Sequence, residues 1–515
     1  MPRPAAVRTA LTILLAIAGL VAAISVRLVE IEQPIVTFRA IRHYRSAIIA
    51  RDFYYHLKPD VSAQAVEVAD ANLHMQQAGE PPLMEWLACL SYLLIGREDV
   101  AIPRALAATA WVIGAIPLWF VTRRVASAAG ALAACTLYLF LPFGIVASRN
   151  FMPDALMTLI TLFALLALLR HHEQPDERRR ATAIAVVGLA LFVKPMSVFL
   201  TIPVLIGLHF LRHRSRATAG AGAGAGAGHG AWGDLAIMLT WCFVPPVLYY
   251  GWTALFGSLI KDQAHMRFVP ELLVTKFFWN GMLTQIQRVF TLPVAIVGWL
   301  GIAFAARGLA RVLLASLWIG YAAFAVAFTY HMPTHDYYHW PYIAVVALGA
   351  GIVVTRLEGV LARIAPRGLV AGVLVIGCVG IAIAGVRAAW PRLHVRNAAA
   401  QLAQYREIGE LTEHHTRVLF LDLEYGYPLM YHSEVSGDAW PNQDDLAAED
   451  LGGRAALDAN ARFARDYAGF KPRFFVVTDL ESLDAQPDLK KLLAEQTEVV
   501  RQTPGYHVYK FKSAR

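Results

Sequence analysis

The sequence predicts a polytopic α-helical membrane protein with about 11 transmembrane helices, interfacial helices on the outer face and a small C-terminal α/β domain. Three observations carry this reading. The first is composition. Of 515 residues, 57% are hydrophobic and 16% charged, against about 25% charged in an ordinary soluble domain. The second is a succession of apolar runs close to the ~18–20 residues that cross a bilayer. The third is the distribution of arginine, which gathers in short loops between alternate runs, as cytoplasmic loops do.

Taken in order, MPRPAAVRTA followed by LTILLAIAGLVAAISV reads as a signal peptide or a first span, and an uncleaved span is the expectation. Further hydrophobic segments follow at 100–122, 126–147, 152–170, 181–194, 196–211, 232–256, 291–307, 312–330, 338–355 and 368–389. Alternate threading places Arg123-Arg124, Arg178 to Arg180, Arg212/Arg214/Arg216, Arg307/Arg311 and Arg356/Arg363/Arg367 on one side, assigned as cytoplasm. The net charge of +8 is thereby explained by topology, without nucleic acid as a partner. The opposite, outer side receives 30–99, the SRNFMPD turn, 257–290, the HMPTHDYYH turn and everything after Trp390. The segments 181–194 and 196–211 read as too short for upright spans and meet at Lys194-Pro195. The tract AGAGAGAGAGHGAWG (219–233) reads as a linker with nothing to pack.

From about 395 the pattern changes. RVLFLDL (417–423), RFFVVTDL (473–480) and YHVYKF (506–511) read as strands and DLKKLLAEQ (488–496) as a helix. This gives a membrane domain over 1–390, including a first outer loop at 30–99, and an outer α/β domain over 395–515. The latter has no Gly-rich phosphate loop. Cys89, Cys135, Cys242 and Cys378 all fall inside apolar segments, which suits buried thiols.

Chemistry concentrates on the outer side. In FRAIRHYRSAIIARDFYY (38–55), helical spacing puts Ile41, Tyr44, Ile48 and Tyr55 on one stripe shared by Arg51. Arg42, Arg45, Ile49 and Asp52 fall on another face. The segment is therefore expected to lie along the outer interface. Its arginines either snorkel to lipid headgroups or hold a phosphate, whose oxygens match the guanidinium fork. GEPPLMEWLACLSYLLIG (79–96) reads as a second interfacial helix with Glu80 and Glu85 near its start. In SRNFMPDALMTLI (148–160), Pro153 suits the first helical position and places Asp154 in the first turn, where the helix dipole favours its ionised form. Arg149 is expected beside Asp154 across the turn. Lys194, inside an apolar run, must be solvated or paired. HMPTHDYYHWPY (331–342) collects His331, His335, Asp336 and His339. His335 and His339 stand at i, i+4, but no third metal ligand can be assigned. Hydrogen bonding to substrate or phosphate and an aromatic belt are the other readings, and a divalent metal is not supported.

With these residues assembled, the chain resembles the GT-C superfamily of polytopic glycosyltransferases, in particular the bacterial protein O-mannosyltransferase and lipid A aminoarabinose transferase group. RSAIIAR (45–51), EPPLMEWL (80–87), SRNFMPDALM (148–157), the VKP break (193–195) and THDYYH (334–339) carry the resemblance by their order and sidedness. It implies inverting transfer of a sugar from a polyprenyl-phosphate donor to a lipid, glycan or protein acceptor at the outer face, among membrane lipids. It further implies that arginine and lysine stabilise the departing phosphate and that a carboxylate takes the proton of the attacking hydroxyl. By residue-level matching Asp154 corresponds to the acid of the second outer loop. The chain departs from the family pattern at Arg42-His43, where an acid or acid pair is usual. Asp154, Glu80 and Asp52 are the candidate catalytic acids. Arg42, Arg45, Arg51, Arg149, Lys194, His335, Asp336 and His339 are the candidate phosphate- or substrate-binding residues. The competing reading is a transporter or flippase, which predicts internal repeats and midplane broken helices. Only one interrupted pair is present.

Overall fold

The structure is a computed structural model that describes residues 4–35, 40–76, 79–219, 226–256, 268–394, 398–451 and 456–512. Of the regions read from sequence, 220–225 of the Gly/Ala tract and 257–267 of the second long outer segment lie outside these residues. The chain divides into two compact units. One is made of membrane-type helices (1–31, 78–81 and 104–394). The other joins the first outer loop (32–77 and 82–103) to the C-terminal residues 395–515. The outer loop therefore packs with the C-terminal domain, where the linear division had grouped it with the spans.

The chain is a multi-pass membrane protein, and its candidate spans among the described residues are fewer than its apolar runs. Among the described residues seven helices are long and apolar enough to cross a membrane, or eight when one bent pair is counted as a span. The difference has local causes. The run at 126–147 is interrupted at Pro142, giving helices Ala128–Phe140 and Pro142–Ala147. The run at 291–307 forms only a 13-residue helix, Leu292–Phe304, bent by 95° from Lys276–Phe290. Thr291 at the bend has φ +63°, and Pro293 cannot donate back into the preceding helix. Conversely, 196–211 is no half-length segment: Pro195–Ser215 is a candidate span of 21 residues. Residues 226–233 are helical too, at the start of Gly226–Phe256, and so are not linker.

Small residues let these helices approach closely, since lipid supplies no hydrophobic drive between them. At Gly349, in helix Ile343–Leu361, a Cβ would collide with the carbonyl of Gly298 in helix Leu292–Phe304. Gly349→Ala is therefore expected to destabilise this unit by about 1–3 kcal/mol, read as a lower melting temperature in detergent.

The other unit is built on a five-stranded mixed sheet of order β2-β1-β3-β5-β4. The strands are β1 (Val418–Leu421), β2 (Gly437–Ala439), β3 (Phe474–Val477), β4 (Thr497–Gln502) and β5 (His507–Phe511). β1 pairs in parallel with β2 and β3, and β5 lies antiparallel between β3 and β4. Every residue of the central strands VLFL and FFVV is buried, as strands covered on both faces must be. Leu419, Leu421, Phe475, Val477 and Tyr509 share one face and pack with Leu489, Leu492 and Leu493 of helix Pro487–Gln496.

Helix Ala40–Leu57 belongs to this unit and packs against helices Ala63–His74, Leu83–Ile95 and Tyr427–Ser433. The expected stripe is buried at Tyr44, Ile48 and Arg51, but Asp52 on the supposed free face is also only 4% exposed. The helix is enclosed by protein on more than one side, where amphipathicity alone suggested an interfacial helix. His432 shows how tightly: its Nε2 lies 2.7 Å from the Tyr44 hydroxyl, in hydrogen-bond contact. Burial, then Arg51 and Arg406, pull its pKa down to about 3. The unfolded chain binds this proton near the ordinary value of 6.5, the folded one only near 3. Stability from this group is therefore complete above the unfolded value and is lost as pH falls towards the folded one. His432→Gln is expected to flatten the decline in this unit's melting temperature between about pH 7 and about pH 5.

Candidate active site

Two prolines shape the site in the helical unit. Pro153 ends the SRNFMPD turn, and the helix Asp154–Glu173 begins at the next residue, with Asp154 at its positive end. Helix Glu177–Val193 stops because Pro195 forces the residue before it out of helical geometry. Lys194 is accordingly extended, at φ −158° and ψ 120°, and the chain re-enters helix after it.

These two helix ends meet. The Lys194 ammonium donates to both oxygens of Asp154, at 2.8 and 2.9 Å. Glu80 Oε1 stands 3.6 Å from the same nitrogen. Lys194 and Asp154 have side chains 4% and 3% exposed, against 21% for Glu80. One cation thus faces two carboxylates, a group of net charge −1. A buried charge of this kind persists only when paired, which explains how the VKP run tolerates its lysine. Asp154 and Lys194 line a cavity with Met157, Met196, Leu200, Phe324 and the aromatic residues Tyr337, Tyr338 and Tyr342. Lys194 lies 5.8 Å from the centroid of the Tyr337 ring. A second, almost wholly apolar cavity shares Leu200 and Pro341 with the first. It is bordered by Thr158, Thr161, Leu162 and Leu165, which continue along the helix that begins at Asp154.

The other sequence candidates go elsewhere. Arg149 does not turn to Asp154. It donates to the carbonyl of Val29, while its own carbonyl accepts from Arg104 at 3.1 Å. Burial lowers its pKa to about 10. In the THDYYH turn, His339 is fully buried with Nε2 2.7 Å from the Met332 carbonyl and Nδ1 2.7 Å from the Tyr321 hydroxyl. Both ring nitrogens are thus engaged, and burial holds its pKa down at about 4. Asp336, also fully buried, faces Arg288 Nε at 3.3 Å. His335 Nδ1 lies 2.7 Å from the Thr334 hydroxyl. The tyrosines of this turn, not its histidines, line the cavity with Lys194. Sequence reading missed them because titratable residues drew the attention, although Tyr337 and Tyr338 stood within the quoted motif.

In the sheet-containing unit, Arg51 bonds Glu98 through Nε at 3.1 and 3.0 Å and the Tyr431 carbonyl through Nη1 at 2.6 Å. Its guanidinium also sits 3.7 Å from the centroid of the Tyr431 ring. Burial, the largest single influence, opposes its charge, but Glu98 together with Tyr431 and Tyr55 outweighs it and the pKa stands well above the ordinary value. Arg42 and Arg45 are half-buried and close enough to Tyr427 to act on its hydroxyl electrostatically. Asp52 neighbours His56 and Asp70.

Residues 79–225, which hold Glu80, Asp154 and Lys194, match the model of the dolichyl-phosphate-mannose-protein mannosyltransferase family. Over nearly the whole chain the architecture superposes on ArnT from Cupriavidus metallidurans bound to undecaprenyl phosphate, with a TM-score of 0.62, 15% identity and 98% of each chain covered. The chain shares the fold of ArnT. A similar fold is seen in the Archaeoglobus fulgidus oligosaccharyltransferase, at a TM-score of 0.52 and 13% identity, covering 96% of this chain and 73% of that one. The arabinofuranosyltransferase AftD from Mycobacteria has a TM-score of 0.52 and 14% identity, covering 97% of this chain and 40% of that one. No curated protein sequence is significantly similar.

Proposed function

We propose that this protein is an inverting glycosyltransferase that moves a sugar from a polyprenyl-phosphate donor to a hydroxyl of a lipid, glycan or protein acceptor at the periplasmic face of a bacterial inner membrane. The observation that carries the reading is the Lys194–Asp154–Glu80 group: a buried cation shared by two carboxylates, at the mouth of an aromatic cavity, within the stretch that matches the mannosyltransferase family.

The chemistry follows from the charges. A carrier phosphate arriving at Lys194 replaces one carboxylate as the partner of the ammonium. The released carboxylate, Asp154 first and Glu80 second, then has lone pairs for a proton. The acceptor oxygen attacks the anomeric carbon, the bond from that carbon to the phosphate oxygen breaks, and the carboxylate takes the acceptor's proton. Lys194 stabilises the negative charge that grows on the leaving phosphate. Tyr337 and Tyr338, beside Lys194, are proposed to meet the sugar ring.

The test uses purified full-length protein and radiolabelled polyprenyl-phosphate sugars with a panel of lipid, glycan and protein acceptors. Consumption of one donor with release of polyprenyl phosphate is expected. Movement of a lipid-linked solute across proteoliposomes without donor consumption would establish a transporter instead.

A further inference from the structure

We propose that Asp52, His56 and Asp70 form a site for a divalent transition-metal ion, with Zn2+ best suited to the donor set, that ties helix Ala40–Leu57 to helix Ala63–His74. One ligand atom from each residue lies within 4.8 Å of the others. His56 Nε2 is 3.3 Å from Asp70 Oδ1, and His56 Nδ1 is 3.5 Å from Asp52 Oδ1. Ligands bound to Zn2+ at about 2.0–2.1 Å in a tetrahedron stand roughly 3.3 Å apart, the spacing of His56 Nε2 and Asp70 Oδ1, and side-chain rotation within the 4.8 Å group brings Asp52 to the same distance.

Two further observations point to a ligand. Asp52 is only 4% exposed, and its Oδ1 has no hydrogen-bond partner. His56 Nδ1 stands 3.5 Å away without a hydrogen bond, so this buried carboxylate oxygen is costly unless something more strongly electropositive faces it. The histidine is also set up to ligate. Its Nδ1 lies 3.0 Å from the Asp52 carbonyl, which fixes the proton on Nδ1 and leaves the Nε2 lone pair on the side of Asp70. Metal-bound histidines are commonly oriented by such a hydrogen bond from the second nitrogen.

The donor set selects the ion. Two carboxylates neutralise a divalent charge and relieve their mutual repulsion. One imidazole favours zinc over the all-oxygen preferences of Mg2+ and Ca2+. The side chains of His56 and Asp70 are each 46% exposed, which gives an entry path and room for a water ligand. In this account Asp52 is a ligand, and its lone pairs are withdrawn from the set of candidate bases.

Untagged full-length protein in detergent, stripped with chelator, is titrated calorimetrically with ZnCl2, and with MgCl2 and CaCl2 in parallel. A Zn2+ equivalent is expected to bind, to raise the melting temperature and to be weakened about tenfold or more in both His56→Ala and Asp70→Asn. His335→Ala is expected to leave it intact. Absence of saturation by Zn2+ up to about 1 mM, or equal affinity in wild type, His56→Ala and Asp70→Asn, overturns the site and leaves a plain histidine–carboxylate ion pair. Both variants change half-exposed side chains, and unchanged elution and metal-free melting temperature verify that they fold.

Discussion

Asp154→Asn is expected to lower sugar transfer by about 10²–10⁴-fold, the range over which a positioned proton acceptor contributes. The same substitution is also expected to reduce stability. It leaves Lys194, whose side chain is 4% exposed, with Glu80 at 3.6 Å as its remaining carboxylate. Breaking a buried pair by removing one partner costs about 3–5 kcal/mol, whereas replacing both partners by apolar groups is often neutral. Activity and stability can therefore be separated. Asp154→Leu combined with Lys194→Met should recover the melting temperature lost by Asp154→Asn yet transfer no sugar. Recovery of transfer together with stability would mean that the pair acts as a brace and that the chemistry lies elsewhere.

The second large effect is expected at Arg51. The resemblance to known glycosyltransferases made it a candidate for the carrier phosphate, but its side chain, 11% exposed, is engaged by Glu98 and by the carbonyl and ring of Tyr431. Arg51→Ala leaves Glu98 without its guanidinium and opens the packing between helices Ala40–Leu57 and Tyr427–Ser433. A loss of about 3–5 kcal/mol in the unit that contains the sheet follows. Arg51→Met with Glu98→Gln should recover much of it. The measurement is the unfolding transition of that unit, alongside donor binding. Unchanged unfolding with abolished donor binding would return Arg51 to the phosphate.

Much of this was legible because membrane proteins constrain sequence strongly. The VKP break and the Pro153-Asp154 turn were readable from proline geometry, and the requirement that Lys194 find a partner followed from its apolar surroundings. Which partner it finds was not readable. Arg149 was the neighbour in sequence, but the pairing runs between residues 40 apart, Asp154 and Lys194. Fewer candidate spans than apolar runs are found among the described residues, because such runs do not reveal where a proline or a 95° bend divides them. The enclosure of helix Ala40–Leu57 was hidden for a related reason. A helix that buries Tyr44 against a C-terminal histidine 388 positions away has the same wheel as one lying on a bilayer. In the sheet, β1, β3 and β5 announced themselves by apolar runs. The three residues of β2, Gly437–Ala439, carry no such signal and are held by pairing with β1.

The most direct test of the central claim is an experimentally determined structure of the full-length protein with a polyprenyl phosphate bound. The account predicts a phosphate oxygen within about 4 Å of Lys194 Nζ, as in an ion pair. It also predicts that the ammonium is drawn away from Asp154. A phosphate held elsewhere, with the bidentate Lys194–Asp154 contact undisturbed, would contradict it.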